Sequence, residues 1–257
     1  MSGVWLTPLN EGVTATVPNK SLVLCLGLLL GAHPLPAQQP KLDSATIARA
    51  NKPILRPGEL IGVLATTGIG LAVDQTLRTG IYDSTSKFAR AASHVGNTLG
   101  SGLVYPALFV LAVGGKVAGS KGLYGVTSRA LKSIVVGGAA AMILKVMVGR
   151  ERPLVSPDNN LSFHPFRFKD NSFPSGHATV AFALATSFSR EWKGKWNDVV
   201  FFSLASLTAY SRLHDEKHWF SDVVFGAGLG TLSARFIHRR EARLLVGKGT
   251  LGASLQF

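Results

Sequence analysis

Six apolar segments occupy much of this 257-residue chain, at residues 60–73, 103–113, 130–148, 178–188, 199–210 and 223–237. Most are shorter than the ~18–20 apolar residues that a comfortable membrane span needs, which keeps a soluble helical domain open. Flanking polar side chains can nevertheless snorkel to an interface or sit among neighbouring helices. Small residues tip the balance, because Gly68, Gly70, Gly137, Gly138, Gly226, Gly228 and Gly230 all lie inside the segments. In water such glycines only weaken helices, whereas in lipid they let helices approach closely. The expectation is therefore an all-α, six-helix membrane bundle. Composition agrees, with 46% hydrophobic and only 16% charged residues.

The remaining charge is strongly basic, 27 Lys and Arg against 14 Asp and Glu. Aromatic residues are not interleaved with these cations, so nucleic acid is not an expected partner. A membrane and anionic, phosphate-bearing headgroups are. Cys25 is the single cysteine, which excludes a disulfide or a zinc cluster within the chain.

Taken in order, residues 1–37 read as an export signal. Lys20 precedes the uncharged run 21–32, and the stretch from His33 ends at the small residue Ala37. Residues 38–58 read as a linker carrying Pro40, Pro53 and Pro57 with Lys41, Arg49, Lys52 and Arg56. Residues 59–240 form the expected helical domain and 241–257 a tail. In that tail Leu251, Ala253, Leu255 and Phe257 alternate with small or polar residues after Gly247-Lys248-Gly249, which suggests a short β-strand. Between the first two apolar segments Phe88, Ala92, Val95 and Leu99 recur at helical spacing beside Lys87, Arg90 and His94. That pattern fits an amphipathic surface helix or, equally, a packed connector.

Three charged clusters between Lys145 and Asp222 are hard to explain as helix packing. They are Lys145 to Pro153 (KVMVGRERP), Pro174 to His177 (PSGH) and Ser211 to Asp222 (SRLHDEKHWFSD). His218 and Asp222 stand four apart and would share a helical face, so that the carboxylate could accept the Nδ1 proton and leave Nε2 as a nucleophile. Ser175 fits a helix N-cap whose free N–H groups would face an anion, and Gly176 would let the backbone come close. Lys145, Arg152 and Arg212 would surround phosphate oxygens, leaving His177 to protonate the leaving group. No cofactor or metal is needed for that chemistry. A rival reading takes His214, His218 and Asp222, at successive four-residue steps, as a metal-binding face.

In these three clusters the chain resembles the type 2 phosphatidic acid phosphatase family. The family's pattern is Lys, six residues, Arg-Pro; then Pro-Ser-Gly-His; then Ser-Arg, five residues, His, three residues, Asp. All parts are present without substitution. The resemblance implies His218 as nucleophile, His177 as general acid and Asp222 as its partner. It implies Lys145, Arg152, Ser175, Gly176 and Arg212 as phosphate ligands. The expected activity is metal-independent hydrolysis of a lipid phosphate monoester or diphosphate through a phosphohistidine. The same family contains exported soluble acid phosphatases and vanadate-dependent haloperoxidases, which are the alternatives. The aromatic and basic run Phe163, His164, Phe166, Arg167, Phe168 and Lys169 could meet a lipid headgroup or form the lip of the site.

Sidedness rests on cations. Lys41, Arg49, Lys52 and Arg56, then Lys116 and Lys121, then Lys193 and Lys195, then Arg239, Arg240 and Arg243 mark alternate connections. The positive-inside rule puts these in the cytoplasm and the three motifs at the outer face of a bacterial-type inner membrane. A cleaved export signal followed by six spans predicts the reverse. The four cationic clusters outweigh it, and an outward site is the expectation.

Overall fold

The computed structural model describes residues 53–82, 87–99, 103–169 and 171–254. The expected export signal, residues 38–52 of the linker and residues 255–257 lie outside these. Seven helices form among the described residues: α1 (Pro57–Tyr82), α2 (Lys87–Leu99), α3 (Val104–Val117), α4 (Lys121–Val148), α5 (Gly176–Glu191), α6 (Lys195–His214) and α7 (Phe220–Ser254). Each of the six apolar segments falls within one of them, give or take a cap. The count rises to seven because residues 87–99 form a helix of their own.

Local chemistry explains several boundaries. Pro57 opens α1, where its missing N–H costs nothing, and the Glu59 carboxylate reaches back to Arg56 N at 3.3 Å. Ser120 caps α4 by accepting from Leu123 N at 3.4 Å. Gly149 ends the same helix at φ 61°, a left-handed turn in which a Cβ would collide with the His164 carbonyl. Asp222 caps α7 from its first turn, accepting from Trp219 N at 2.8 Å.

The expected tail strand does not form in the described residues, since α7 continues to Ser254. Two isolated bridges in the 149–175 loop are the sole β pairing there, so a lone strand would find no ladder. A continued helix satisfies the same backbone groups internally.

Helices α5 and α7 form the axis. The first packs on α4, α6 and α7, the second on α1, α4 and α5. Their crossing is close enough that a Cβ at Gly230 would strike the Thr179 carbonyl. Alanines fill much of the core: Ala130, Ala178, Ala183 and Ala234 are fully buried. Helix α2 packs on α6 through Ala89, Ala92 and Ser93, while His94 and Val95 face outward. This packing fits the connector reading of α2; its exposed Lys87, Arg90 and His94 fit the amphipathic pattern too, with Ala92 buried as expected and Val95 exposed against expectation.

Two stretches, Pro57–Ile81 and Lys121–Val148, are long and apolar enough to cross a membrane. Only 17% and 22% of their apolar windows are buried among the described residues, so most of that apolar surface is open. Leu60, Ile61, Leu64, Val135, Met142 and Ile143 point outward, a surface suited to lipid.

Candidate active site

The C-terminal ends of α4 and α6 meet the N-terminal ends of α5 and α7, which brings the three sequence clusters together. The Ser175 N–H donates to the Asp222 carbonyl at 3.0 Å, and Leu154 N to Glu216 O at 3.4 Å. His218 lies in the short connection between α6 and α7, one residue before the Trp219 cap. Its Nδ1 is 2.7 Å from the carbonyl oxygen of Ser172 and 3.8 Å from Asp222 Oδ2. The direct Nδ1–Asp222 hydrogen bond expected from spacing is thus replaced, because His218 precedes the helix instead of sharing its face. A carbonyl can only accept, so Nδ1 carries the proton and Nε2 the lone pair. Asp222 acts on the ring through charge at 3.8 Å. Burial pushes His218 below its ordinary 6.5, Asp222 opposes this, and Lys145 and Arg152 reinforce it.

Ser175 is the N-cap of α5, accepting from Ala178 N at 3.4 Å, and is fully buried. Gly176 begins the helix with open space where a Cβ would stand. His177 follows it, and Arg212, His218 and Lys145 all act on it electrostatically. The Lys145 ammonium donates to Asn171 O at 2.9 Å and Ser172 O at 3.2 Å, which leaves a third proton to offer. Arg212 holds Asp215 at 3.4 Å. Asp215 in turn accepts from Ser93 and Asn97, each at 2.7 Å, and so ties α2 to the site. Arg152 differs from the others: its Nε is buried with no hydrogen-bond partner. An unpaired guanidinium nitrogen there is costly unless a ligand accepts from it.

Sequence reasoning missed the group beneath Asp222. Arg150, inside the Lys…Arg-Pro spacer, is completely buried and donates to Asp222 Oδ1 at 2.6 Å and to Asp74 Oδ2 at 2.7 Å. It lies between the rings of Phe163 and Trp219, 5.6 and 5.4 Å from their centroids. The available signal was Asp74, the one acidic residue of α1 beyond its first turn.

The connecting loop folds back on itself. Glu151 accepts from Arg167 Nη1 at 2.6 Å and Ser162 Oγ at 3.0 Å, which hold its carboxyl below the usual range. Its carbonyl accepts from Ser172 Oγ and from Trp219 Nε1, both at 2.9 Å. Of the aromatic run, Phe163 backs Arg150 while Phe166 and Phe168 face outward. The rival metal face is not assembled, because α6 ends at His214 before the chain turns. His214 instead meets Asp215 at 3.2 Å. Among the described residues no three His, Cys, Asp or Glu side chains converge as metal ligands.

Residues 127–244 match the family model described as PAP2 superfamily. These residues are a PAP2-superfamily domain. The lipid A 1-phosphatase of Porphyromonas gingivalis is 45% identical over 64 residues, 24% of this chain and 14% of that protein. Other curated relatives are spanned to no more than 61% of their length. Among solved structures, Aquifex aeolicus LpxE is similar at TM-score 0.51 and 23% identity, covering 66% of this chain and 95% of that one. The transmembrane PAP2 type phosphatidylglycerolphosphate phosphatase of Bacillus subtilis is similar at TM-score 0.55 and 17% identity, over 70% and 94%. The fold is thus that of helical membrane PAP2 proteins.

Proposed function

We propose that the protein is a membrane phosphatase that hydrolyses a lipid phosphate monoester or diphosphate through a phosphohistidine at His218. The observation that carries this reading is the gathering of Lys145, Arg152 and Arg212 at a buried histidine, with Arg152 Nε buried and unpaired. Three cations repel one another, and a phosphoryl group supplies the oxygens that reconcile them. The Nε2 lone pair attacks phosphorus, an N–P bond forms as the P–O bond breaks, and His177 gives its proton to the departing oxygen. Then His177 takes a proton from water, the resulting hydroxide oxygen bonds to phosphorus, and the N–P electrons return to Nε2. Ser172 O keeps the Nδ1 proton throughout, and the Asp222 charge opposes the positive charge on the phosphorylated ring.

A lipid substrate is favoured by the outward apolar faces of α1 and α4. The lipid A 1-phosphatase similarity puts lipid A phosphates first in a panel that also holds phosphatidic acid, polyprenyl diphosphate and phosphatidylglycerol phosphate. Phosphate release from that panel by purified protein, retained in EDTA and blocked by vanadate, is the expected result. Loss of activity in EDTA with rescue by a divalent ion would overturn metal independence. Bromide oxidation with vanadate and peroxide, without phosphate release, would replace hydrolysis with haloperoxidase chemistry.

The site faces outward in this reading. Lys116, Lys121, Lys193 and Lys195 are exposed at the end opposite the motifs, as the positive-inside rule requires. Single cysteines at Asn159 and Lys193 in a Cys25→Ser background distinguish the orientations in intact cells or spheroplasts treated with an impermeant thiol reagent. Labelling at Asn159 alone is expected, and labelling at Lys193 alone would reverse the assignment.

A further inference from the structure

We infer that Asp74 and Arg150 are positioning residues for His218, holding Asp222 in place in a buried three-group cluster that carries one negative charge in excess behind the imidazole. This rests on the phosphohistidine reading but extends the machinery to α1, outside the matched residues 127–244.

Every donor direction of Arg150 is used. Nε donates to Asn160 O at 2.9 Å, Nη1 to Asp222 Oδ1 at 2.6 Å and Ser221 Oγ at 2.7 Å, and Nη2 to Asp74 Oδ2 at 2.7 Å and Asn160 O at 2.5 Å. Asp74 also accepts from Ser221 N at 2.8 Å and Ser221 Oγ at 2.7 Å. Asn160 donates to Leu71 O at 2.9 Å, one helical turn before Asp74. The guanidinium and both carboxylates are wholly buried.

Two formal negative charges on one guanidinium leave a net charge of minus one. Such an excess is a poor way to stabilise a core, where apolar residues of similar volume do as well or better. It makes sense where a positive charge appears during turnover. Asp222 Oδ2 accepts from Trp219 N at 2.8 Å and lies 3.8 Å from His218 Nδ1, so the ring that becomes cationic on phosphorylation stands beside the cluster's negative edge. The other charged groups acting on His218 are Lys145 from α4 and Arg152 from the loop, with His177 facing it from α5. All of these oppose a positive ring. Asp222 alone among them favours it, and its place is fixed by Arg150 at Oδ1 and by the Trp219 N–H at Oδ2.

The test uses full-length protein in detergent with isotope-labelled histidine, the His218 signals being identified by their loss in His218→Ala. Asp74→Asn keeps the shape of the side chain and removes one charge. The expected result is a His218 titration midpoint moved to lower pH, a kcat lowered about 10–100-fold, and vanadate binding like wild type. Retained vanadate binding reports an intact fold. An unmoved midpoint and unchanged kcat would overturn the inference, as would a loss confined to KM. Should Asp74→Asn not fold, Ser221→Ala removes only the hydroxyl shared by Asp74 and Arg150. It is expected to lower kcat by a smaller factor at unchanged vanadate binding, and no change would again overturn it. If wild type releases no phosphate from any lipid, the proposed function fails, and the titration midpoint alone decides whether Asp74 acts on His218.

Discussion

The two ends of the helical bundle treat charge in opposite ways. Away from the motifs, several cations bind carboxylates directly. Arg239 and Arg235 hold Glu59 at 2.8 and 2.9 Å, Arg129 holds Glu191 at 2.5 Å, and Lys132 holds Glu241 at 2.6 Å. At the motif end Arg152 Nε is buried without a partner and Lys145 meets only carbonyls, while two carboxylates crowd Arg150. The far end joins α1, α4, α5 and α7 by direct ion pairs. The motif end keeps donors unspent for an anion and a spare negative charge for a ring that becomes positive.

The largest expected effect tests that contrast at its centre. His218→Ala should reduce phosphate release by at least about 10⁴-fold with the fold intact, since the nucleophile is gone. Labelling quenched in alkaline detergent, in which an N–P bond survives, should trap phosphate on wild-type protein and not on the variant. Asp222→Asn should keep residual turnover, and normal turnover by His218→Ala would sink the mechanism.

Next, Arg152→Ala and Arg129→Ala should separate the two ends. Removing Arg152 should cost about 10²–10³ in kcat without loss of thermal stability, because its Nε has no partner in the unliganded protein. Removing Arg129 should leave kcat unchanged. Equal kinetic losses in the two variants would break the comparison.

A smaller effect is expected for Glu59→Gln, which strips a carboxylate from Arg235 and Arg239. The pairs are partly screened, so a stability loss of about 1 kcal/mol is expected in thermal unfolding, with kcat unaltered. A kcat change there would mean that the far end communicates with the site.

The smallest effect concerns pH. Attack requires Nε2 unprotonated, and burial, with Lys145 and Arg152, holds His218 below its ordinary 6.5 against the pull of Asp222. As pH falls, the ring therefore gains its proton later than a free histidine. The acidic limb of kcat/KM should lie below pH 6.5, and a limb at or above that value would show that Asp222 outweighs burial.

Residues 178–188 and their neighbours were legible as helices because apolar runs and caps such as Ser175 act within a few residues. The three clusters were legible for a similar reason, since short spacings carry Lys145, Arg152, His177, Arg212, His218 and Asp222 as groups. Spacing misled where a helix ended, as it did for His214 and for the Nδ1 partner of His218. It was silent on Asp74, which lies 76 residues from Arg150 along the chain and 2.7 Å from it in space. Sequence alone determined which residue types the site contains, because local hydrogen bonding and periodicity are written in short stretches. Tertiary packing alone decided which carbonyl holds the Nδ1 proton and which acid stands behind Asp222, because burial forces distant polar groups to satisfy one another.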